Sequence, residues 1–120
     1  MKEIKLPESE MKVMEILWEK EEASAKELAL SMQQRYGWKK NTTYTVLNHL
    51  QEKGALQRIE PGFVCRALLR REQVGKNEAR TLLQRFYKGS PAALFASFLD
   101  EKSINREELE EIRKMIDRFE

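Results

Sequence analysis

The chain has 120 residues, 22 of them Lys or Arg against 20 Asp or Glu, giving a formal net charge of +2, and it has a single cysteine and a single histidine. That length allows one compact domain with an appendage, or one domain that needs a partner, and leaves no room for a second full core. One cysteine cannot close an intramolecular disulfide, and with one histidine it supplies no paired ligand set for structural zinc.

No apolar run approaches the roughly 20 residues that a membrane-spanning helix needs. The N-terminal Met1-Lys2-Glu3-Ile4-Lys5 lacks the apolar core of a signal peptide, so the chain is expected in the cytoplasm. The charge is unevenly spread. Arg35, Lys39, Lys40, Lys53, Arg58, Arg66, Arg70 and Arg71 make a basic middle opposed by Glu52, Glu60 and flanking acids, whereas the tail from Asp100 collects Glu101, Glu107, Glu108, Glu110, Glu111, Asp117 and Glu120. A basic middle and an acidic end imply different partners.

Leu6-Pro7-Glu8-Ser9-Glu10 opens a first helix, with Pro near its first turn and acids at the positive end of its dipole. Met11, Val13, Met14, Leu17 and Trp18 supply its core positions. Lys20 to Ala23 form a link to Ser24-Ala25-Lys26-Glu27, a capping box that starts a second helix burying Ala25, Leu28, Ala29 and Met32 and ending near Gly37.

A third helix spans Lys39 to Lys53 and is stopped by Gly54. Thr43, Val46, Leu47 and Leu50 follow the three-and-four spacing of a buried face, which leaves Asn41, Thr42, Thr45, Asn48 and His49 largely on the opposite side. A solvated face more often carries Glu and Lys. Short amides and hydroxyls suit base edges and phosphate oxygens, though they also suit an ordinary surface helix. Leu56 to Glu60 and Phe63 to Leu68 are β-prone runs around the turn residues Pro61-Gly62. A helix followed by a two-stranded wing is a DNA-binding arrangement; the bland reading is a hairpin that caps a core. The expected module, about residues 6 to 70, is a winged helix-turn-helix.

Glu72 to Lys88 reads as a helix with Val74, Ala79, Leu82, Leu83, Phe86 and Tyr87 on one side and a weakening Gly75. Gly89 breaks it. Ser90-Pro91 caps a further helix, Ala92 to Lys102, with Leu94, Phe95, Phe98 and Leu99 apolar, and Asn105 to Glu108 caps a last one carrying Leu109, Ile112, Ile116 and Phe119. Such short helices are marginal in water unless an apolar face packs. A second copy of the chain is the simplest cover for them; the alternative is that the tail folds back on its own winged helix. The fold class expected is therefore mainly α, a winged helix-turn-helix in residues 1-70 and a helical dimerisation region in 71-120.

Nothing here looks like an enzyme: no nucleophile is paired with a base, and there is no Gly-rich phosphate loop and no metal-ligand cluster. No cofactor and no small-molecule substrate are expected.

Glu10 to Trp18, the Trp38 to Gly54 helix with Thr42, Thr45, Leu47 and Leu50, the exit Lys53-Gly54-Ala55-Leu56, Phe86-Tyr87-Lys88-Gly89-Ser90 and the Glu-rich closing helix together resemble the penicillinase-repressor (BlaI/MecI) family of bacterial transcriptional repressors, over nearly the whole chain. The resemblance implies a homodimer that binds a palindromic operator in double-stranded DNA, commonly at β-lactam resistance genes. It also implies induction through a membrane sensor protease that cuts the repressor in its dimerisation segment. Carried over by position, Asn41, Thr42, Thr45 and His49 would contact DNA, supported by Lys39, Lys40 and the wing residue Arg58. Leu82, Phe86, Leu94, Phe95, Phe98, Leu99, Leu109, Ile112 and Ile116 would hold the dimer, and the cleaved bond would be Ser97-Phe98.

The chain departs from its relatives in places. Many carry Lys at position 41, Arg at 49, Ser-Pro at 39 and 40, and Asn before Phe98, so the charge has moved toward the start of the helix. Cys65 stands where relatives tend to have an aromatic residue. Beside Arg66 an exposed thiol would be activated for redox switching; the reading preferred is a small hydrophobe in the hairpin. The tail has no cysteine, unlike that of copper-responsive relatives. The competing function is a winged-helix adaptor that binds proteins and no specific DNA.

Overall fold

The computed structural model describes residues 4–119. Met1-Lys2-Glu3, part of the stretch that carries the expectation of no signal peptide, and Glu120 of the acidic tail lie outside the described residues. In chain order the elements are α1 (Glu8–Lys20), β1 (Glu22–Ser24), α2 (Ala25–Tyr36), α3 (Lys40–Lys53), β2 (Leu56–Ile59), β3 (Val64–Ala67), α4 (Arg71–Phe86), α5 (Pro91–Asp100) and α6 (Arg106–Phe119). The chain divides after Asn77 into two compact units.

In the first unit, α1 buries Val13, Met14, Ile16 and Leu17. It stops at Glu21: the N–H of that residue still closes a helical bond to the Leu17 carbonyl at 2.8 Å, and its positive φ (67°) then turns the chain out of the helix. The capping box of α2 forms as expected: the Glu27 N–H donates to Ser24 Oγ and the Ser24 N–H to Glu27 Oε1, each at 3.1 Å. The Ser24 backbone N–H first, and then the Ser24 hydroxyl, hold the Glu27 carboxyl below its ordinary range. The buried faces of α2 and α3 are the expected ones, Ala25, Leu28, Ala29 and Met32 on α2 and Thr43, Val46, Leu47 and Leu50 on α3. With Met14, Leu17 and Leu56 they close one core in which each large side chain contributes about 1.5–3 kcal/mol of apolar burial. Val74 of α4 joins the same core.

The hairpin expected after α3 is present, and a third strand is added to it. The sheet order is β1-β3-β2, all antiparallel, so that β3 lies in the middle with Cys65 opposite Ala23 on one side and Arg58 on the other. Three residues are too few for a period-2 pattern to register, which is why Glu22 and Ala23 read as part of a link and Ser24 as a helix cap alone. The middle position also decides the role of Cys65. Its side chain is fully buried, and burial pushes the thiol up to about 11, against a smaller pull from Arg58. A protonated, enclosed thiol is a packing group, so the redox switch is excluded in favour of the small hydrophobe.

One buried charge was hidden in the sequence. Glu10 is 5% exposed and its carboxylate accepts from Lys53 Nζ at 2.5 Å, while the same ammonium donates to the Lys5 carbonyl at 2.9 Å. The last residue of α3 is thereby clasped to the first turn of α1.

The second unit comprises the rest of α4 with α5 and α6. Its caps follow the sequence: Ser90 Oγ accepts from Ala93 N–H at 3.1 Å, and Asn105 Oδ1 from Glu108 N–H at 2.8 Å. Among the described residues from Glu78 onward, no side chain is buried. Leu94, Phe95, Leu109 and Ile112 are half-buried, whereas Leu82, Phe86, Phe98, Leu99 and Ile116 are exposed.

Candidate nucleic-acid interface

The outward face of α3 is built by the burial of its inner one. Because Thr43, Val46, Leu47 and Leu50 are held in the core, Asn41, Thr42, Thr45 and His49 are exposed together, along with Asn48. Asn41, Thr45 and His49 recur every four residues and make one stripe, spanning about 12 Å at 1.5 Å per residue. The Thr45 hydroxyl donates to the Asn41 carbonyl at 3.0 Å, which fixes its rotamer and leaves its oxygen free to accept.

The start of α3 differs from that of α2. Its cap residue is Lys39, with no side-chain hydrogen bond, and its first turn holds no acid. Lys39 and Lys40 therefore place positive charge at the positive end of the helix dipole, which destabilises the free helix by roughly 0.3–1 kcal/mol per charge. A phosphate brought to this end would reverse the sign of that interaction.

Of the eight cations in the basic middle, four are engaged by local acids. Arg35 lies 3.8 Å from Glu19, Lys53 2.5 Å from Glu10, Arg58 is paired with Glu60 and Arg66 with Glu22. Lys40 sits over the Tyr44 ring and Arg71 over Trp18, 5.6 and 5.4 Å from the ring centroids. Lys39 and the Arg70 side chain have no ion pair among the described residues. The cationic surface is thus narrower than composition suggests, with Lys39 and Lys40 marking its helix end.

The wing is fastened to α3. Phe63 packs edge-on against Tyr44, with centroids 5.8 Å apart and planes at 83°, and the Arg58 guanidinium lies 3.7 Å over the other ring of the pair, that of Phe63. Glu60 accepts the Phe63 N–H at 3.1 Å and the Arg58 Nε–H, and those bonds, backbone first, keep its carboxyl below the ordinary range. Tyr44 and Phe63 escaped the sequence reading. Tyr44 faces sideways on α3, neither on the core stripe nor on the outward one, and its contact with residue 63 exists only after the hairpin folds back. Among the described residues no group of three or more His, Cys, Asp and Glu could hold a metal ion, and no helix is long and apolar enough to cross a membrane.

Three helices, a wing that follows the third and an exposed third helix with no acid in its first turn define the winged-helix class of DNA-binding proteins. Within that class, the family description "Penicillinase repressor" matches residues 6–118, and the chain belongs to that family. It is 24% identical over 119 residues to the methicillin resistance regulatory protein MecI of Staphylococcus aureus strain N315, covering 98% of this chain and 97% of that one. Penicillinase repressors of Staphylococcus aureus and Bacillus licheniformis are each 25% identical, over 117 and 120 residues, with 96% and 98% of this chain and 93% and 94% of theirs covered.

Proposed function

We propose that this protein is a sequence-specific transcriptional repressor, not an enzyme, which binds a palindromic operator as a homodimer in the cytoplasm and blocks a promoter by occupying it. The observation that carries the reading is the uncapped, acid-free start of α3 with Lys39 and Lys40, continued by the stripe Asn41, Thr45 and His49. Backbone N–H groups and two ammonium ions at that end suit phosphate oxygens, and Asn and Thr suit base edges in the major groove, with Thr42 beside them. Arg58 adds a cation from the wing. The ring nitrogens of His49 suit a base edge or a phosphate oxygen. Family membership supports the same assignment, and the names of the relatives point to β-lactam resistance genes as the regulated class.

A second copy of the chain is the cover we assign to the tail. Phe86, Ile116 and Phe119 are 67%, 64% and 89% exposed in the single chain, and Leu109, Ile112 and Ile116 lie on one face of α6 with Leu82, Leu94, Phe95, Phe98 and Leu99 as further apolar groups. Burying each is worth about 1.5–3 kcal/mol, which a free tail forgoes. Dimerisation would set two α3 helices about one DNA turn, roughly 34–36 Å, apart. Release would come from a membrane sensor protease cutting Ser97-Phe98. That bond lies inside α5, and the Ser97 hydroxyl donates to the Leu94 carbonyl at 2.6 Å, so α5 must open before a protease can bind it as extended chain.

The test is selection of bound duplexes from a random pool, followed by titration against salt. An enriched inverted repeat with half-sites one turn apart, bound with a log-log salt slope of about 0.9 per phosphate contacted, is the expected result. No enrichment by a folded protein would overturn the reading in favour of a protein-binding adaptor.

A further inference from the structure

Phe63 combines features that no packing role requires together. It is a non-glycine residue in the left-handed region, with φ +50°, directly after Gly62, which itself has φ +92°. Glycine meets such a backbone with less strain, so a phenylalanine held there points to a use for its ring. The backbone is pinned on both sides. Its N–H donates to Glu60 Oε1 at 3.1 Å, and its carbonyl accepts the N–H of Ala25, the first residue of α2, at 2.9 Å. The ring then has two neighbours, Tyr44 of α3 edge-on and the Arg58 guanidinium on its face. Lys40 over Tyr44 completes a column that runs from the start of α3 to the wing: ammonium, phenol, phenyl, guanidinium.

We propose that Phe63 is the positioning residue for the wing's DNA contact: held between the Tyr44 ring, which it meets edge-on, and the Arg58 guanidinium on its face, it fixes that guanidinium relative to α3 so that helix and wing meet the DNA backbone as one preformed surface. The proposal rests on the operator-binding reading above. Stacking engages the face of the guanidinium and leaves its edge for hydrogen bonds. Glu60 takes the Nε–H, and among the described residues the two terminal nitrogens have no other partner, so four N–H groups remain to grip a phosphate bidentately. An arginine ordered in this way loses little rotamer freedom when it binds. Without the ring, the same side chain would sweep through solvent, tethered only by an exposed ion pair that contributes little.

The experiment is a double-mutant cycle on the full-length chain, with the selected operator and an unrelated duplex as probes, measured across salt. Phe63→Ala and Arg58→Ala are each expected to weaken operator binding about 3- to 10-fold and to lower the salt slope by about 0.9, one phosphate. The double variant should be no weaker than Arg58→Ala alone, because Phe63 acts only through Arg58. Phe63→Tyr, which keeps the ring, should restore wild-type affinity and slope, while Phe63→Leu, which keeps apolar bulk, should behave like Phe63→Ala. Thermal unfolding of every variant identifies a loss due to misfolding, which Phe63→Leu would then avoid. Losses that add in the double variant, or a full slope in a folded Phe63→Leu, would overturn the proposal while leaving the operator reading intact. Wild-type protein that binds neither duplex in a salt-dependent way would overturn both.

Discussion

Replacing Lys53 by Met should destabilise the protein far more than replacing its partner Glu10 by Gln, and the asymmetry follows from where the two charges sit. The Glu10 side chain is 7% exposed and the Lys53 side chain 35%. Lys53→Met strands a carboxylate that has lost its water, a situation that costs about 3–5 kcal/mol when the site is sealed. Because a third of the lysine faces solvent, water can reach the vacated space, and about 2–3 kcal/mol is expected. At 4–8 °C per kcal/mol for a unit of this size, the midpoint should fall by roughly 10–20 °C. Glu10→Gln leaves an ammonium on a flexible stem that can turn to water, so about 1 kcal/mol is expected. Met at both positions should return to within about 1 kcal/mol of wild type, since neither charge then needs a partner. Urea unfolding followed by the fluorescence of Trp18 and Trp38 would measure the series, with unchanged denaturant slopes as the check that the unfolded state is not altered. A Lys53→Met loss equal to or smaller than that of Glu10→Gln would refute the reasoning and place the carboxylate in water.

Three further outcomes are expected. Thr43 is fully buried and its hydroxyl has no hydrogen-bond partner among the described residues, so Thr43→Val should raise stability by about 1–3 kcal/mol without altering the outward face of α3; a destabilised variant in urea would mean that the hydroxyl is satisfied. Cys65, enclosed in β3 with its thiol pushed up to about 11, should resist iodoacetamide in the native protein at neutral pH and react in urea; rapid native labelling would contradict its burial. Glu27 and Glu60 both have lowered folded-state values, so the stability they add is fully present above the unfolded carboxylate range and is lost as pH falls through their folded values. Wild type should therefore exceed the Glu27→Gln/Glu60→Gln variant in urea midpoint at pH 7, and the gap should close as the pH falls through their folded values. A gap that persists in acid would trace the effect to shape and not to charge.

The local structure of this protein is written locally. The capping box at Ser24 and Glu27, the stops at Gly37 and Gly54 and the three-and-four stripes of α2 and α3 each rest on contacts within a few residues, and the sequence states them without help from the rest of the chain. The outward face of α3 follows by subtraction, because a helix that buries Thr43, Val46, Leu47 and Leu50 must expose Asn41, Thr45 and His49. The combination of motifs along nearly the whole chain was enough to indicate the family.

Whatever depends on two distant segments meeting was settled by the tertiary structure. Strand β1 is a strand because β3 pairs with it, and Cys65 is inert because that pairing puts it in the middle of the sheet. Glu10 and Lys53 are 43 residues apart, and nothing in either neighbourhood marks them as a buried pair. Arg35, Lys53 and Arg66 of the basic middle meet acids that the fold brings alongside, and Phe63, with Arg58 over its ring, finds Tyr44 only once the hairpin has turned back on α3. The sequence determined which helix faces outward, since helical periodicity is a local property; folding decided which of its cations are spent and which are held ready, since electrostatics and stacking depend on distances that only the packed chain sets.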